Sequence, residues 1–256
     1  MAEPALQGRH ALVTGGGTGI GAAIAQALAE QGARVTLLGR RLEVLQEQAR
    51  RLPRAQCAAC DLTVAGALPA AFEMAARDFG PIDILVNNAG LVETRPFHKT
   101  DAAHWSKTFA LNVDAVFAGM AQVYPGMRER GWGRIVNIAS TAALKGYAYV
   151  SAYCAAKHAV LGLTRAVALE AAGCGVTVNA VCPGYTDTDI IGDAVKLLGD
   201  KTGRSAAQAL DEFTRVNPQG RLIQPREVAN AVSWLCAPGS EAITGQAIAV
   251  AGGEVM

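Results

Sequence analysis

Apolar residues along the chain follow two alternating patterns. Short, almost unbroken apolar runs recur at HALVTG (10–15), RVTLLG (34–39), QCAACD (56–61), DILVNNAG (83–90), RIVNIAS (134–140), VTVNAVCPG (176–184) and QAIAVAGG (246–253). Continuous runs of this kind mark strands buried on both faces, unlike the strict alternation of a half-solvated strand. Between them lie Ala- and Leu-rich stretches with helical period. GAAIAQALAEQG (21–32) sets Ile24, Ala27 and Leu28 on one face and closes on Gly32, which fits a C-cap. Strand and helix alternating over long crossovers predict an α/β fold with a parallel sheet and helices on both faces. Seven strands in one series predict a single doubly wound domain over residues 1–256. Residues 186–223 break the rhythm. They are long, more polar and helical in places, which is the character of a lid over a site.

Composition narrows the picture. Hydrophobic residues make up 51% of the chain and charged residues 18%, enough to bury a full core and too apolar for disorder. A net charge of +1 offers no electrostatic capture of nucleic acid or of an anionic membrane, and neither is expected as a partner. No segment approaches the ~18 uninterrupted apolar residues of a membrane span. MAEPALQGRH at the N-terminus lacks the apolar core of a signal peptide, so a cytoplasmic protein is expected. Six Cys are scattered at 57, 60, 154, 174, 182 and 236. Cys57 and Cys60 form a C-x-x-C, but no second pair or His motif completes a metal set. They read as small apolar residues of a buried strand, and no metal site is expected.

The turn VTGGGTGIGAAIA lies between the first strand and the first helix, with Gly15, Gly19 and Gly21 at G-x-x-x-G-x-G spacing. Glycines there let main chain approach a pyrophosphate, and the helix N-terminus offers free N–H groups. The position is that of a dinucleotide fingerprint in a Rossmann-type fold. There is no G-K-S/T for a nucleoside triphosphate. At the end of the second strand, LLGRR places Gly39 where an acid would hold the adenosine ribose of NAD, followed by Arg40 and Arg41. Without a carboxylate nothing repels a 2′-phosphate, and Arg40 can pair with it. The alternative is that both Arg cap the strand end in solvent. NADP(H) is favoured, with NAD(H) possible. Asp61 and Leu62, after the third strand, are placed to meet the adenine.

SAYCAAKHAV (151–160) carries Tyr153 and Lys157 one helical turn apart among small apolar neighbours. Alone, the pair reads as a Tyr at a core edge and a Lys reaching for water. Together with TGGGTGIG (14–21), NNAG (87–90), Asn112 in LNV, Ser140 in NIAS, and PGYTDT (183–188), the chain resembles the short-chain dehydrogenase/reductase family over essentially its whole length. The resemblance implies an oxidoreductase with Ser140, Tyr153, Lys157 and Asn112 as catalytic residues. Tyr153 is then the acid in reduction or the base in oxidation. A free phenol has a pKa near ~10, and the Lys157 ammonium and the nicotinamide are expected to lower it. Ser140 holds the substrate oxygen. Lys157 also binds the nicotinamide ribose, and Asn112 supports a water that relays protons to Lys157. The resemblance further implies that Gly15, Thr18, Gly19, Ile20, Gly21 and Asn88, Ala89 and Gly90 line the cofactor. Pro183 and Gly184 turn beneath the nicotinamide, with the Thr186 and Thr188 hydroxyls toward its carboxamide or pyrophosphate. Many NADP-preferring members carry a basic residue just before the second glycine, where this chain has Thr18, so the NADP reading rests on Arg40.

GRIVNIAST, VTVNAVCPG and GRLIQPREVANAVSWL look similar to 3-oxoacyl-thioester reductases and aromatic polyketide ketoreductases. That resemblance implies a 3-oxoacyl group on coenzyme A or a carrier protein. Leu144, Tyr147 and Tyr185 are candidate substrate walls, with Phe97 and Tyr149 beside them. Lys196, Lys201, Arg204 and Arg215 could meet carrier phosphates, or could be solvated helix faces balanced by Asp193, Asp200, Asp211 and Glu212. Two alternatives remain. One is an NAD-dependent catabolic secondary-alcohol or 3-hydroxyacyl-CoA dehydrogenase. The other is a dinucleotide-binding sensor without turnover. By resemblance, a homotetramer is expected, paired through the last strand with helix 226–237 and through a long helix at 103–128 with the catalytic helix.

Overall fold

A computed structural model describes residues 4–64 and 66–256. Seven parallel strands form one sheet: β1 (His10–Thr14), β2 (Arg34–Gly39), β3 (Ala55–Ala59), β4 (Ile84–Asn87), β5 (Gly133–Ile138), β6 (Val176–Pro183) and β7 (Ala247–Val250). Their order is β3-β2-β1-β4-β5-β6-β7. Every residue of β1, β4, β5 and β6 is buried, which is why these segments read as continuous apolar runs.

Helices cover both faces. One core packs Ile24 and Leu28 of α1 (Gly19–Glu30), Leu45 of α2 (Leu42–Ala49) and Val228, Val232 and Leu235 of α9 (Pro225–Cys236) against the sheet. The other uses Phe72 of α3 (Ala67–Phe79), Met120 of α5 (Ala115–Arg130) and Val160 of α6 (Ser151–Ala171). Cys57 joins the first core and Cys60 the second. Cys57 lies in β3 and Cys60 just past its end, and the two pack into opposite cores, so the C-x-x-C cannot close on one ligand. Gly32 takes a φ of 92° just beyond α1 and donates to the Ala29 carbonyl, ending the helix as expected.

Several boundaries differ from the sequence reading, among them β7, which spans Ala247–Val250 instead of 246–253. β3 runs over Ala55–Ala59 instead of 56–61. β4 stops at Asn87, so residues 88–90 leave the sheet as a loop. The helix expected over 103–128 is split into α4 (Ala102–Phe109) and α5 by a π turn at Ala110–Asp114 that carries Asn112. An apolar period cannot register one extra residue in a turn.

The excursion at 186–223 forms α7 (Asp189–Thr202) and α8 (Ala206–Thr214). Its two ends are stitched together: Thr186 and Ile223 form a parallel bridge, and Asp187 N donates to Ile223 O at 2.8 Å. α7 buries no residue and α8 only Ala209. Among the described residues, no helix is long and apolar enough to cross a membrane.

Candidate active site

Strand order reverses between β1 and β4, and a crevice opens there beyond the carboxyl ends of the strands. A cleft of about 530 Å³ occupies this position. One end is the glycine turn. Gly15 and Gly19 take φ of 64° and 53°, and a Cβ on Gly21 would stand 2.2 Å from the Gly15 carbonyl oxygen. Only glycine fits such a turn, and its main chain is left bare to a ligand. Asn88 Nδ2 donates to Thr14 O at 3.0 Å, and Thr14 Oγ1 accepts from Asn88 N and Ala89 N. The loop leaving β4 is thereby fastened to the glycine turn. Thr18, Ile20, Ala89 and Gly90 all line the cleft. A narrow glycine cradle, a helix N-terminus and an elongated cleft at the switch point together fit a nicotinamide dinucleotide.

At the outer end, Gly39, Arg40 and Arg41 line the cleft beside Asp61 and Leu62. Arg40 is exposed. Asp61 accepts from the Thr63 N–H and hydroxyl at 2.9 and 2.7 Å. These bonds hold its carboxyl below the usual range, with a smaller contribution from the Arg40 charge.

At the inner end, β5 delivers Ser140, and the first two turns of α6 deliver Tyr153 and Lys157. Ser140 opens the short turn Thr141–Ala143, its Oγ accepting from Ala142 N at 3.1 Å. Lys157 is 3% exposed, and its Nζ donates to the Ile138 carbonyl at 2.9 Å. Tyr153 lies beside it, Nζ being 5.5 Å from the ring centroid. Burial pushes the Tyr153 phenol up to about 12, with the Ser140 hydroxyl pulling against it. Burial also pushes the Lys157 ammonium down to about 8. The expectation that Lys157 lowers the phenol is not met: burial dominates, and the pull against it comes from the Ser140 hydroxyl.

Asn112 is fully buried in the π turn. Its Nδ2 donates to Leu91 O and Thr108 O, both at 2.9 Å, and its Oδ1 accepts from Leu91 N at 3.4 Å. The side chain is thus occupied in joining the 88–91 loop to the helix. A Cβ on Gly90 would meet Asn112 Oδ1 at 3.0 Å and Lys157 Nζ at 3.6 Å, so the two groups converge on one small gap.

Pro183, Gly184, Thr186 and Thr188 also line the cleft. The Thr186 hydroxyl donates to Gly184 O at 3.0 Å and the Thr188 hydroxyl to Thr186 O at 3.3 Å. The Thr188 methyl would stand 3.1 Å from a Cβ on Gly19, so the start of α7 packs on the glycine turn.

Among the expected substrate walls, Tyr147 and Tyr185 line the cleft and Leu144 does not. Leu144 follows the buried turn Thr141–Ala143 and points outward, 36% exposed. Phe97 and Tyr149 are also outside the lining, at 79% and 62% exposed. Val92, Thr94, Val150, Ile190, Ala194 and Phe213 supply walls that the sequence reading missed. Of the four cations considered for a carrier, Arg204 and Arg215 both pair with Glu212.

A family model described as short chain dehydrogenase matches residues 9–196. The chain belongs to this family. It is 39% identical over 252 residues to an acetoacetyl-CoA reductase of Rhizobium meliloti, covering 96% of this chain and 98% of the relative. It is 35% identical over 257 residues to a D-beta-hydroxybutyrate dehydrogenase of Cupriavidus necator, covering 98% and 99%. A crystal structure of an actinorhodin polyketide ketoreductase variant with NADPH superposes with a TM-score of 0.92 at 38% identity, covering 96% and 97%. This short-chain dehydrogenase is a nicotinamide-dependent oxidoreductase that interconverts a ketone and a secondary alcohol.

Proposed function

We propose that the enzyme uses NADPH to reduce a 3-oxoacyl thioester, carried on coenzyme A or a carrier protein, to the 3-hydroxyacyl product. The observation that carries this reading is the cleft itself. It runs unbroken from Gly39 and Arg40, past Tyr153, to an apolar end at Tyr147, Tyr185 and Phe213. Arg40 is exposed and without an ion-pair partner among the described residues, and no carboxylate stands at Gly39. A 2′-phosphate finds a cation there and meets no carboxylate at the end of β2. Likeness to a reductase named for acetoacetyl-CoA and to a polyketide ketoreductase holding NADPH supports both halves of the reading.

The bound dinucleotide supplies the hydride that reaches the carbonyl carbon. Tyr153 gives its proton to the carbonyl oxygen, and the alcohol results. Its high affinity for that proton keeps the phenol loaded at neutral pH. The Ser140 hydroxyl holds the same oxygen and fixes the face presented. Lys157 spends one of its N–H groups on Ile138 O and keeps two for the ribose and for the oxygen developing on Tyr153. Asn112 holds the gap at Gly90 through which a water can return a proton to Lys157. α7 and α8 serve as the lid that excludes solvent during transfer.

A homotetramer is part of this proposal. Phe117 of α5 and Leu169 of α6 are 59% and 82% exposed, Trp234 of α9 is 49% exposed, and β7 is an uncovered edge strand. These are the faces expected to pair. The second reading, an NAD-dependent hydroxyacyl or secondary-alcohol dehydrogenase, draws on the likeness to a hydroxybutyrate dehydrogenase. Following reduced-nicotinamide absorbance with acetoacetyl-CoA separates the two. Brisk oxidation of NADPH with little of NADH supports the proposal. NADH preference, or no thioester turnover, favours the second reading.

A further inference from the structure

The residues that follow β7 pack behind the substrate end of the cleft in a way that hydride transfer does not require. After β7, Gly252 and Gly253 lie at φ of 62° and 93°. A Cβ on Gly252 would fall 2.1 Å from Asn217 Oδ1, and one on Gly253 3.4 Å from Pro218 Cγ. The tail therefore lies flat against the loop that trails α8. Glu254 follows, with its side chain 1% exposed. Its Oε1 accepts from the Tyr147 phenol and lies 3.1 Å from Lys145 Nζ. Its Oε2 sits under Gly184, where a Cβ would be only 2.9 Å away.

This carboxylate decides where the Tyr147 proton goes. A phenol has one proton to donate, and the Tyr147 oxygen has two partners, Glu254 and Thr141 Oγ1, the latter at 2.6 Å. The charged acceptor takes the proton, and the Thr141 hydroxyl then donates to the phenol oxygen. No O–H is left to face the substrate. The ring meanwhile stands edge-on to Tyr185, with centroids 6.3 Å apart, and Tyr185 stands edge-on to Phe213 of α8 at 5.2 Å. All three rings line the cleft.

We propose that Glu254 is a specificity-determining positioning residue: by holding the Tyr147 phenol, it turns this tyrosine of the pocket into an apolar wall and withholds its proton from the substrate. The wall favours apolar and aromatic ketones, and its occupancy by Tyr147, Tyr185 and Phe213 links the C-terminal tail to the lid. This inference rests on the ketone-reductase reading for its kinetic test but not for its spectroscopic one.

Two measurements test it on the full-length protein. In the first, 3-fluorotyrosine is placed at position 147 and its fluorine resonance is followed through alkaline titration. Burial and the Glu254 carboxylate both hold this phenol protonated. Glu254→Ala is expected to lower the titration midpoint by about one pH unit or more. An unchanged midpoint overturns the proposal, whatever the enzyme turns over. In the second, kcat/KM is compared between 1-tetralone, a bicyclic aryl ketone, and acetoacetyl-CoA. Glu254→Ala is expected to lower the tetralone-to-thioester ratio about tenfold, chiefly through KM, the scale of one altered wall contact. Glu254→Gln, which keeps an acceptor in place, is expected to stay within about twofold of the native ratio. A uniform loss of kcat on both ketones in Glu254→Ala, or a Glu254→Gln ratio as poor as that of Glu254→Ala, overturns it. Should Glu254→Ala not fold, Glu254→Gln decides alone: removing the charge is expected to lower the midpoint while the ratio is kept, and any other result counts against the proposal. Native enzyme inactive on both ketones counts against the reductase reading, and the titration then decides the proposal.

Discussion

Lys157 Nζ donates to the Ile138 carbonyl at 2.9 Å while standing 5.5 Å from the centre of the Tyr153 ring. One bond therefore ties α6 to the end of β5, one residue before the Ala139–Ser140 step that brings the serine into the cleft. The lysine is a strut as well as a charge. Its burial lowers its affinity for a proton to about 8 from an ordinary 10.5. The folded chain then holds fewer protons than the unfolded chain between about pH 8 and 10.5, and stability gains with rising pH across that window. Tyr153 works the other way only higher, since its folded value of about 12 lies above the ordinary 10. Urea melts from pH 7 to 10 are expected to show native protein gaining on Lys157→Met as pH rises through 8 to 10. A constant difference between the two would mean that Lys157 is not desolvated.

Gly21→Ala tests the cradle. The added methyl would stand 2.2 Å from Gly15 O and 2.6 Å from Asn88 Nδ2, main chain and a hydrogen-bonded side chain that cannot both retreat. Loss of dinucleotide binding by at least about tenfold is expected, with destabilisation of about 1–3 kcal/mol from overpacking. Titration calorimetry and a thermal melt read both. Native affinity in this variant would place the cofactor elsewhere.

Arg40→Asp exchanges the proposed phosphate partner for a repulsive carboxylate at the outer end of the cleft. The NADPH-to-NADH ratio of kcat/KM is expected to fall by about 10²-fold, from the combined loss and repulsion. An unchanged ratio would show that Arg40 points into solvent.

The proposed lid has little holding it down, because α7 buries nothing and α8 only Ala209. Limited proteolysis is expected to cut within 189–214 in the free protein and to slow when NADPH and a ketone are both present. Equal cleavage with and without ligands would argue for a fixed excursion.

Much of this architecture is legible in the sequence because its signals are local. Strands buried on both faces must be apolar at every position, so β1, β2 and β6 stand out with nearly correct ends. The ends of the 186–223 excursion were legible too, as a change of polarity, and the structure joins them at Thr186 and Ile223. What the pattern hides is contact at a distance and single-residue irregularity. The π turn at Asn112 adds one residue to a turn without changing the apolar period. Leu144 has the character of a wall but leaves a buried turn facing outward, whereas Phe213 comes to the cleft only because α8 folds back over it. Glu254 reads as a polar residue near a chain end. Its partner Tyr147 is 107 residues away, and no spacing rule joins them.

The central claim is that Tyr153 protonates the ketone oxygen during hydride transfer, and single-turnover reduction of acetoacetyl-CoA by NADPH in native enzyme and Tyr153→Phe tests it most directly. The phenylalanine ring preserves the packing, so the variant is expected to fold and bind NADPH as the native protein does while hydride transfer slows by about 10²-fold or more, the range for a lost acid. Transfer at the native rate in Tyr153→Phe, with binding intact, would contradict the account.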